Sequence, residues 1–211
     1  PRPLASLPVQ GFADETSRDS AAPGGGSVAA LAGALAAALA AMVANLAHSK
    51  PGFVAVRDEL ETVAVRAQEL KQRLLDAIDE DTWAFQQLMV ASAAGDEVAR
   101  RGATLHAAEV PLSVAEACPE VAALCRRALE IGMPASASDA GVGAGMARAA
   151  AVGAAMNVAI NLQAMAEDAE AAGMLDRAED AVRRTTAVAD EVEREVWQRL
   201  GRGGGREVKD S

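Results

Sequence analysis

From Val28 to Ala44 the chain carries no polar side chain, and the run consists mainly of alanine, leucine and glycine. Such a stretch can sit in lipid or inside a protein, and it limits what the rest can be. It falls short of the ~18–20 apolar residues needed to span a bilayer, and alanine and glycine transfer only weakly into lipid. A buried central helix is therefore expected. Alanine is the strongest helix former, and small side chains let neighbouring helices approach closely. Composition agrees: hydrophobic residues make up 51% of the chain but aromatics only 2%, with no tyrosine.

The remaining periodicity also reads as helix, predicting an all-α, single-domain, antiparallel bundle of long helices over 1–200 and a disordered tail over 201–211. A short helix is expected over Val9–Arg18. The loop Ala21–Gly26 breaks it, with Ser27 as N-cap of a helix enclosed on most sides to about Ala47. A long helix from about Val54 to Ala94 follows, its seam at Val56, Leu60, Val63, Ala67, Leu70, Leu74 and Ala77 advancing in steps of four and three. Asp96 and Glu97 restart a helix in which Pro111 and Pro119 predict a kink or break, and Gly132-Met133-Pro134 ends it. A small-residue helix over Ser138–Glu170 and a charge-rich outer helix over Leu175–Leu200 complete the set.

Several classes are disfavoured. The net charge of −10 opposes a nucleic-acid partner, which needs a basic face. Cys118 and Cys125 are spaced for neither a zinc knuckle nor a disulfide framework, and His48 and His106 lack metal-ligand spacing, so no metal is expected. Pro1, Arg2 and Pro3 precede no signal-type hydrophobic run, and a reduced, cytoplasmic protein without a membrane partner is the expectation.

The informative residues are polar ones on apolar faces. Continuing the long-helix seam from Ala77 gives Asp81, while Asp79, about 200° around the helix, points elsewhere. A carboxylate on a buried face is either a general acid or base with a raised pKa, or a core aspartate satisfied by a donor. Asn45, Asn157 and Asn161 fall on small-residue faces, as members of a polar pocket or as fixers of register. Pro23, Gly24, Gly25, Gly26 and Ser27 form a loop whose free N–H groups suit a carboxylate or polar ring, or else a tight turn with a serine cap; no P-loop lysine follows.

The run Ala22-Pro23-Gly24-Gly25-Gly26-Ser27-Val28-Ala29-Ala30-Leu31-Ala32-Gly33, followed by Met42–Leu46, resembles the opening of the cyclodeaminase domain of formimidoyltransferase-cyclodeaminases, shared with bacterial methenyltetrahydrofolate cyclohydrolases. Asp79-Glu80-Asp81 with Ala84-Phe85, Glu109–Leu112, Ser138–Gly143 and Gly153–Leu162 resemble that family's later motifs, in order, over about Leu7 to Leu200. Where the family often has Thr-x-Gly-Lys-Lys, this chain reads Ala47-His48-Ser49-Lys50-Pro51.

The resemblance implies a helical homodimer, or a higher homo-oligomer, binding a tetrahydrofolate derivative near the subunit interface, with or without a polyglutamate tail. It implies no cofactor beyond that folate, a role in histidine degradation, and a fused or associated glutamate formimidoyltransferase. The activity would be closure of the N5–N10 bridge of 5-formimidoyltetrahydrofolate with loss of ammonia, or opening of the methenyl bridge by water. Asp81, with Asp79 as second choice, would be the acid/base. The glycine loop, Asn45, Lys50, Ser138, Asp139, Asn157 and Asn161 would bind substrate, with a local basic track near Lys50 and Arg57. A non-catalytic helical dimerisation partner is the rival reading.

Overall fold

The computed structural model describes residues 3–201, so the expected tail lies almost wholly outside the described residues. Within them the chain forms six α-helices and no strand: α1 (Val9–Thr16), α2 (Gly25–His48), α3 (Arg57–Ala94), α4 (Glu97–Ile131), α5 (Ala137–Leu162) and α6 (Ala169–Arg199). Short 3-10 turns at Leu4–Ser6, Pro51–Val56, Pro134–Ser136 and Gln163–Met165 lead into or join them.

The central position of α2 follows from its composition. It packs against α3, α4 and α5, and nine of its alanines are buried, from Ala29 to Ala47. At 24 residues it is long and apolar enough to cross a membrane, as is the segment Pro134–Met165, so length does not decide the matter as the sequence reading assumed. Burial bears on it instead: 61% of the most apolar window of α2 is enclosed by the rest of the fold, against 39% for Pro134–Met165. Close approach depends on missing side-chain atoms. A Cβ on Gly143 would lie 2.9 Å from Cys125 Sγ and 3.4 Å from the Ala36 carbonyl, so α2, α4 and α5 meet at one point.

The α3 seam is as expected from Leu60 to Ala77, every member buried, and each interior leucine contributes roughly 2 kcal/mol through removal from water. Helix directions are mixed. Ser27 meets Ile78 and Gly33 meets Leu74, so α2 and α3 run oppositely. In contrast, Arg101–Asp168, Glu116–Arg177 and Arg126–Glu191 show α4 and α6 running the same way.

Four boundaries differ from the sequence reading. The N-cap of α2 is Gly24, with Ser27 already inside the first turn. The long helix begins at Arg57, after the 3-10 turn. α4 runs unbroken through both prolines. α5 ends at Leu162, and α6 starts at Ala169 with Asp168 as its cap, accepting from the Glu170 and Ala171 amides. α2 is enclosed on most sides, as expected, but Val28, Leu35, Met42 and Leu46 leave one exposed apolar stripe, three of them seven residues apart.

Candidate active site

The first turn of α2 leaves backbone N–H groups without intrahelical partners, and Gly24 has no side chain to cap them. The carboxylate of Asp81, reaching over from α3, meets them instead. Its Oδ2 accepts from the Ser27 hydroxyl at 3.0 Å, and the Ser27 backbone N–H in the same turn also favours its charged form. The anion at this glycine-rich helix start is thus the protein's own side chain, where the sequence suggested a guest. Buried Gly26 makes this possible: a Cβ there would lie 2.7 Å from Asp81 Oδ2 and closer still to Oδ1.

Two effects oppose each other on Asp81. The Ser27 hydroxyl and amide favour the charged carboxylate, whereas burial disfavours it, and burial is the larger, so the pKa lies above the ordinary value. No charged side chain contributes. Ser27 itself is fully buried, its Oγ 3.0 Å from the Ile78 carbonyl and 3.4 Å from Thr82 Oγ1. The result is a half-buried acid, hydrogen-bonded and easier to protonate than a surface aspartate. It caps α2, and the same properties suit it to pass a proton.

Asn157 stands beside the turn, its Nδ2 3.0 Å from where a Cβ on Gly25 would be, and donates to its own helix at the Gly153 carbonyl. Asn161, one turn further along α5, donates at 2.7 Å to the Ala107 carbonyl of α4. The donor that would normally serve Ala107 is the amide of residue 111, which is proline. Asn161 replaces it, which lets α4 continue and commits that amide nitrogen to structure.

The remaining sequence candidates do not join this group. Asp79 accepts the Leu4 amide at 2.6 Å and the Ala5 amide at 3.3 Å, pinning the N-terminal segment to α3; as an acid/base candidate it is displaced by that role. Asn45 and Lys50 are exposed at the opposite end of α2 from Gly25, ~30 Å away by helix rise. They border a hollow of about 420 Å³ with Ala38, Met42, Leu46, Ser49 and Gln68. Ser138 and Asp139 lie in the first turn of α5, whose cap position is Ser136, ~27 Å of helix from Asn157. One protomer therefore divides the candidates between the two ends of α2. Pro23 is buried at the Asp81 end, joined to Ala22 by a cis peptide bond.

Among the described residues no three His, Cys, Asp or Glu side chains gather as metal ligands. Cys118 and Cys125 are free and buried, their thiols pushed up to about 12 by burial, which leaves them unreactive. Sequence reasoning missed the Ile78 carbonyl, Thr82 and the cradle at Gly26. Only Gly26 had a visible signal, a glycine where any small residue would have continued the helix.

Comparison with known proteins identifies the family and the fold. Residues 8–180 match the family model described as formiminotransferase-cyclodeaminase. The chain is 32% identical over 166 residues to the methenyltetrahydrofolate cyclohydrolase of Methylorubrum extorquens, covering 74% of this chain and 80% of that protein. It is 30% identical over 174 residues to the formimidoyltransferase-cyclodeaminase of Gallus gallus, covering 78% of this chain but 32% of that longer protein. The crystal structure of formiminotetrahydrofolate cyclodeaminase from Thermotoga maritima superposes with a TM-score of 0.88 at 28% identity, covering 93% of this chain and 99% of that one. The chain belongs to the formiminotransferase-cyclodeaminase family.

Proposed function

We propose that the chain is a folate-dependent formimidoyltetrahydrofolate cyclodeaminase with Asp81 as its acid/base. The supporting observation is the Asp81 carboxyl, withdrawn from water against Ser27 at the α2 start and shifted toward its protonated form. Ring closure needs a base for the N10 proton and an acid for the departing ammonia. One carboxyl whose pKa is raised by burial serves both in turn, ionised as the base and protonated as the acid. Asn157 lies against Gly25 of the same turn, and exposed Val28, Met156 and Ile160 offer apolar surface on α2 and α5 for a flat ring. No cofactor beyond folate is required, and the expected setting is the cytoplasm, alone or with a glutamate formimidoyltransferase.

The functional unit in this reading is a homodimer. The exposed stripe on α2 crosses the helix midpoint, and two copies meeting through it in opposite directions would bring the Asn45–Lys50 end of one α2 to the Asp81 end of the other. Such a pairing would reunite the divided candidates and set a cation near the glutamate carboxylates of folate.

The second reading is methenyltetrahydrofolate cyclohydrolase, favoured by the likeness to the Methylorubrum extorquens enzyme over most of that protein's length. Both substrates should be offered to the wild type and to Asp81→Asn while methenyltetrahydrofolate absorbance is followed. Cyclodeaminase predicts a rise from formimidoyltetrahydrofolate with ammonia release, abolished in the variant. A fall from methenyltetrahydrofolate alone would make the protein a cyclohydrolase, and no change with either would return the non-catalytic reading.

A further inference from the structure

The surroundings of Ser27 contain more hydrogen-bond acceptors than it can serve. A serine hydroxyl has one proton and two acceptor sites. Its Oγ stands 3.0 Å from the Ile78 carbonyl oxygen, 3.0 Å from Asp81 Oδ2 and 3.4 Å from the Thr82 hydroxyl, with no exposure to solvent. One proton cannot bond both the carbonyl and the carboxylate. Ile78 lies inside α3, where its carbonyl already has an intrahelical donor in the amide of residue 82, so Ser27 can leave it without stranding a buried group.

We propose that Ser27 is a positioning residue that turns between two hydrogen-bonded states as Asp81 gains and loses a proton. When Asp81 is ionised, the Ser27 O–H donates to Oδ2. When Asp81 is protonated, its O–H donates to Ser27 Oγ and the Ser27 O–H donates to the Ile78 carbonyl. Ser27 keeps its own proton throughout; the proton that moves passes between Asp81 and the substrate. Both states are satisfied in a place poor in water, where a buried polar group left unpaired is costly. The inference rests on the reading of Asp81 as acid/base.

Charged groups around Asp81 are few. α2 carries no titratable side chain from Gly25 to Ala47, and α5 carries none from Ala149 to Leu162. On α4, His106 is turned onto the edge of Trp83 and Glu109 is exposed. On α3, Asp79 is bonded to the Leu4 and Ala5 amides and Glu80 is exposed. The local titration is therefore governed by burial and Ser27.

The test compares wild type, Ser27→Ala and Ser27→Thr in the free protein and in turnover. Difference infrared spectra against pH follow the Asp81 carboxyl band, identified by its loss in Asp81→Asn. Ser27→Ala removes a charge-assisted bond from the ionised form, so the band should titrate at higher pH. The acidic limb of kcat should move with it, kcat should fall roughly tenfold, and KM should change little. Ser27→Thr should restore both. An unaltered titration in Ser27→Ala overturns the proposal, as does a raised KM with kcat and titration unchanged, which would make Ser27 a substrate contact. Absence of turnover on either folate would defeat the functional reading while leaving the infrared arm able to decide this one. Should the added methyl of threonine unfold the chain, Ser27→Ala decides alone.

Discussion

Gly26 and Asp81 meet so closely across the α2–α3 contact that a Cβ on the glycine would lie 2.5 Å from the carboxyl carbon. The missing methyl is the space the carboxylate occupies. Gly26→Ala should push Asp81 off the Ser27 amide and hydroxyl. A displacement of about 1 Å at a reacting group costs on the order of 100-fold in rate, so kcat should fall by that order. The gain of about 1 kcal/mol that alanine normally brings to a helix should be cancelled by the clash. Gly145→Ala is the control, because nothing lies within 4 Å of its added Cβ. It should melt slightly higher and turn over as wild type. Rates and melting temperatures measured on the pair check both expectations.

The raised pKa of Asp81 has a stability consequence of definite sign. The folded value lies above the unfolded 3.8, so between the two the native state holds more protons than the unfolded chain. The favourable contribution of the protonated acid is complete below about 3.8 and disappears as pH rises through the folded value. At neutral pH the ionised group is a liability. Asp81→Asn should therefore melt higher than wild type at pH 7, with the difference shrinking as pH falls toward 4, while turnover drops by at least about 100-fold. Melting curves across that range provide the check. A variant less stable at pH 7 would mean that capping of α2 outweighs the cost of burying the charge.

Asp81 was legible because a seam with steps of four and three extrapolates: Leu60 to Ala77 are all buried, and the next member of the series is the acid. What was not legible has physical causes. Nearly uniform apolarity in α2 gives no amphipathic contrast, so sequence could not show that Val28, Leu35 and Met42 face outward while Ala30, Ala37 and Ala44 face in. Asn45 was placed on the interior by extending that featureless face. The end of α5 was overrun because alanine-rich sequence has no internal stop, and the true signal was Asp168 capping the next helix. Asp79 was kept as a candidate because its partners, Leu4 and Ala5, are distant in sequence and bond through backbone amides that leave no pattern.

The stripe on α2 predicts association. Leu35 is 46% exposed near the middle of the helix, where a two-fold axis would pass in the proposed dimer. Leu35→Glu would set two like charges against each other at that axis and desolvate both, costing several kcal/mol of association free energy. Light scattering should report monomers for the variant and dimers for wild type, with far-UV helicity unchanged. Turnover should fall with dissociation and recover at high protein concentration. Monomeric wild type would remove the dimer from the functional reading.

Asn161 and Pro111 make a separable pair. Proline at 111 leaves the Ala107 carbonyl without its intrahelical donor, and Asn161 supplies one from α5 at 2.7 Å. Asn161→Ala alone should leave that buried carbonyl unpaired and cost about 1–3 kcal/mol. Pro111→Ala alone gives the carbonyl a second donor and should change stability little, any helix gain being offset by competition with Asn161. In the double variant the restored amide at 111 replaces the lost side-chain donor, so most of the cost of Asn161→Ala should disappear. Denaturant unfolding of the four proteins closes the cycle, with an expected coupling of about 1 kcal/mol or more. If the double variant is as unstable as the sum of the singles, Asn161 acts through something other than that carbonyl. Asn161 would then regain its place as a candidate substrate contact.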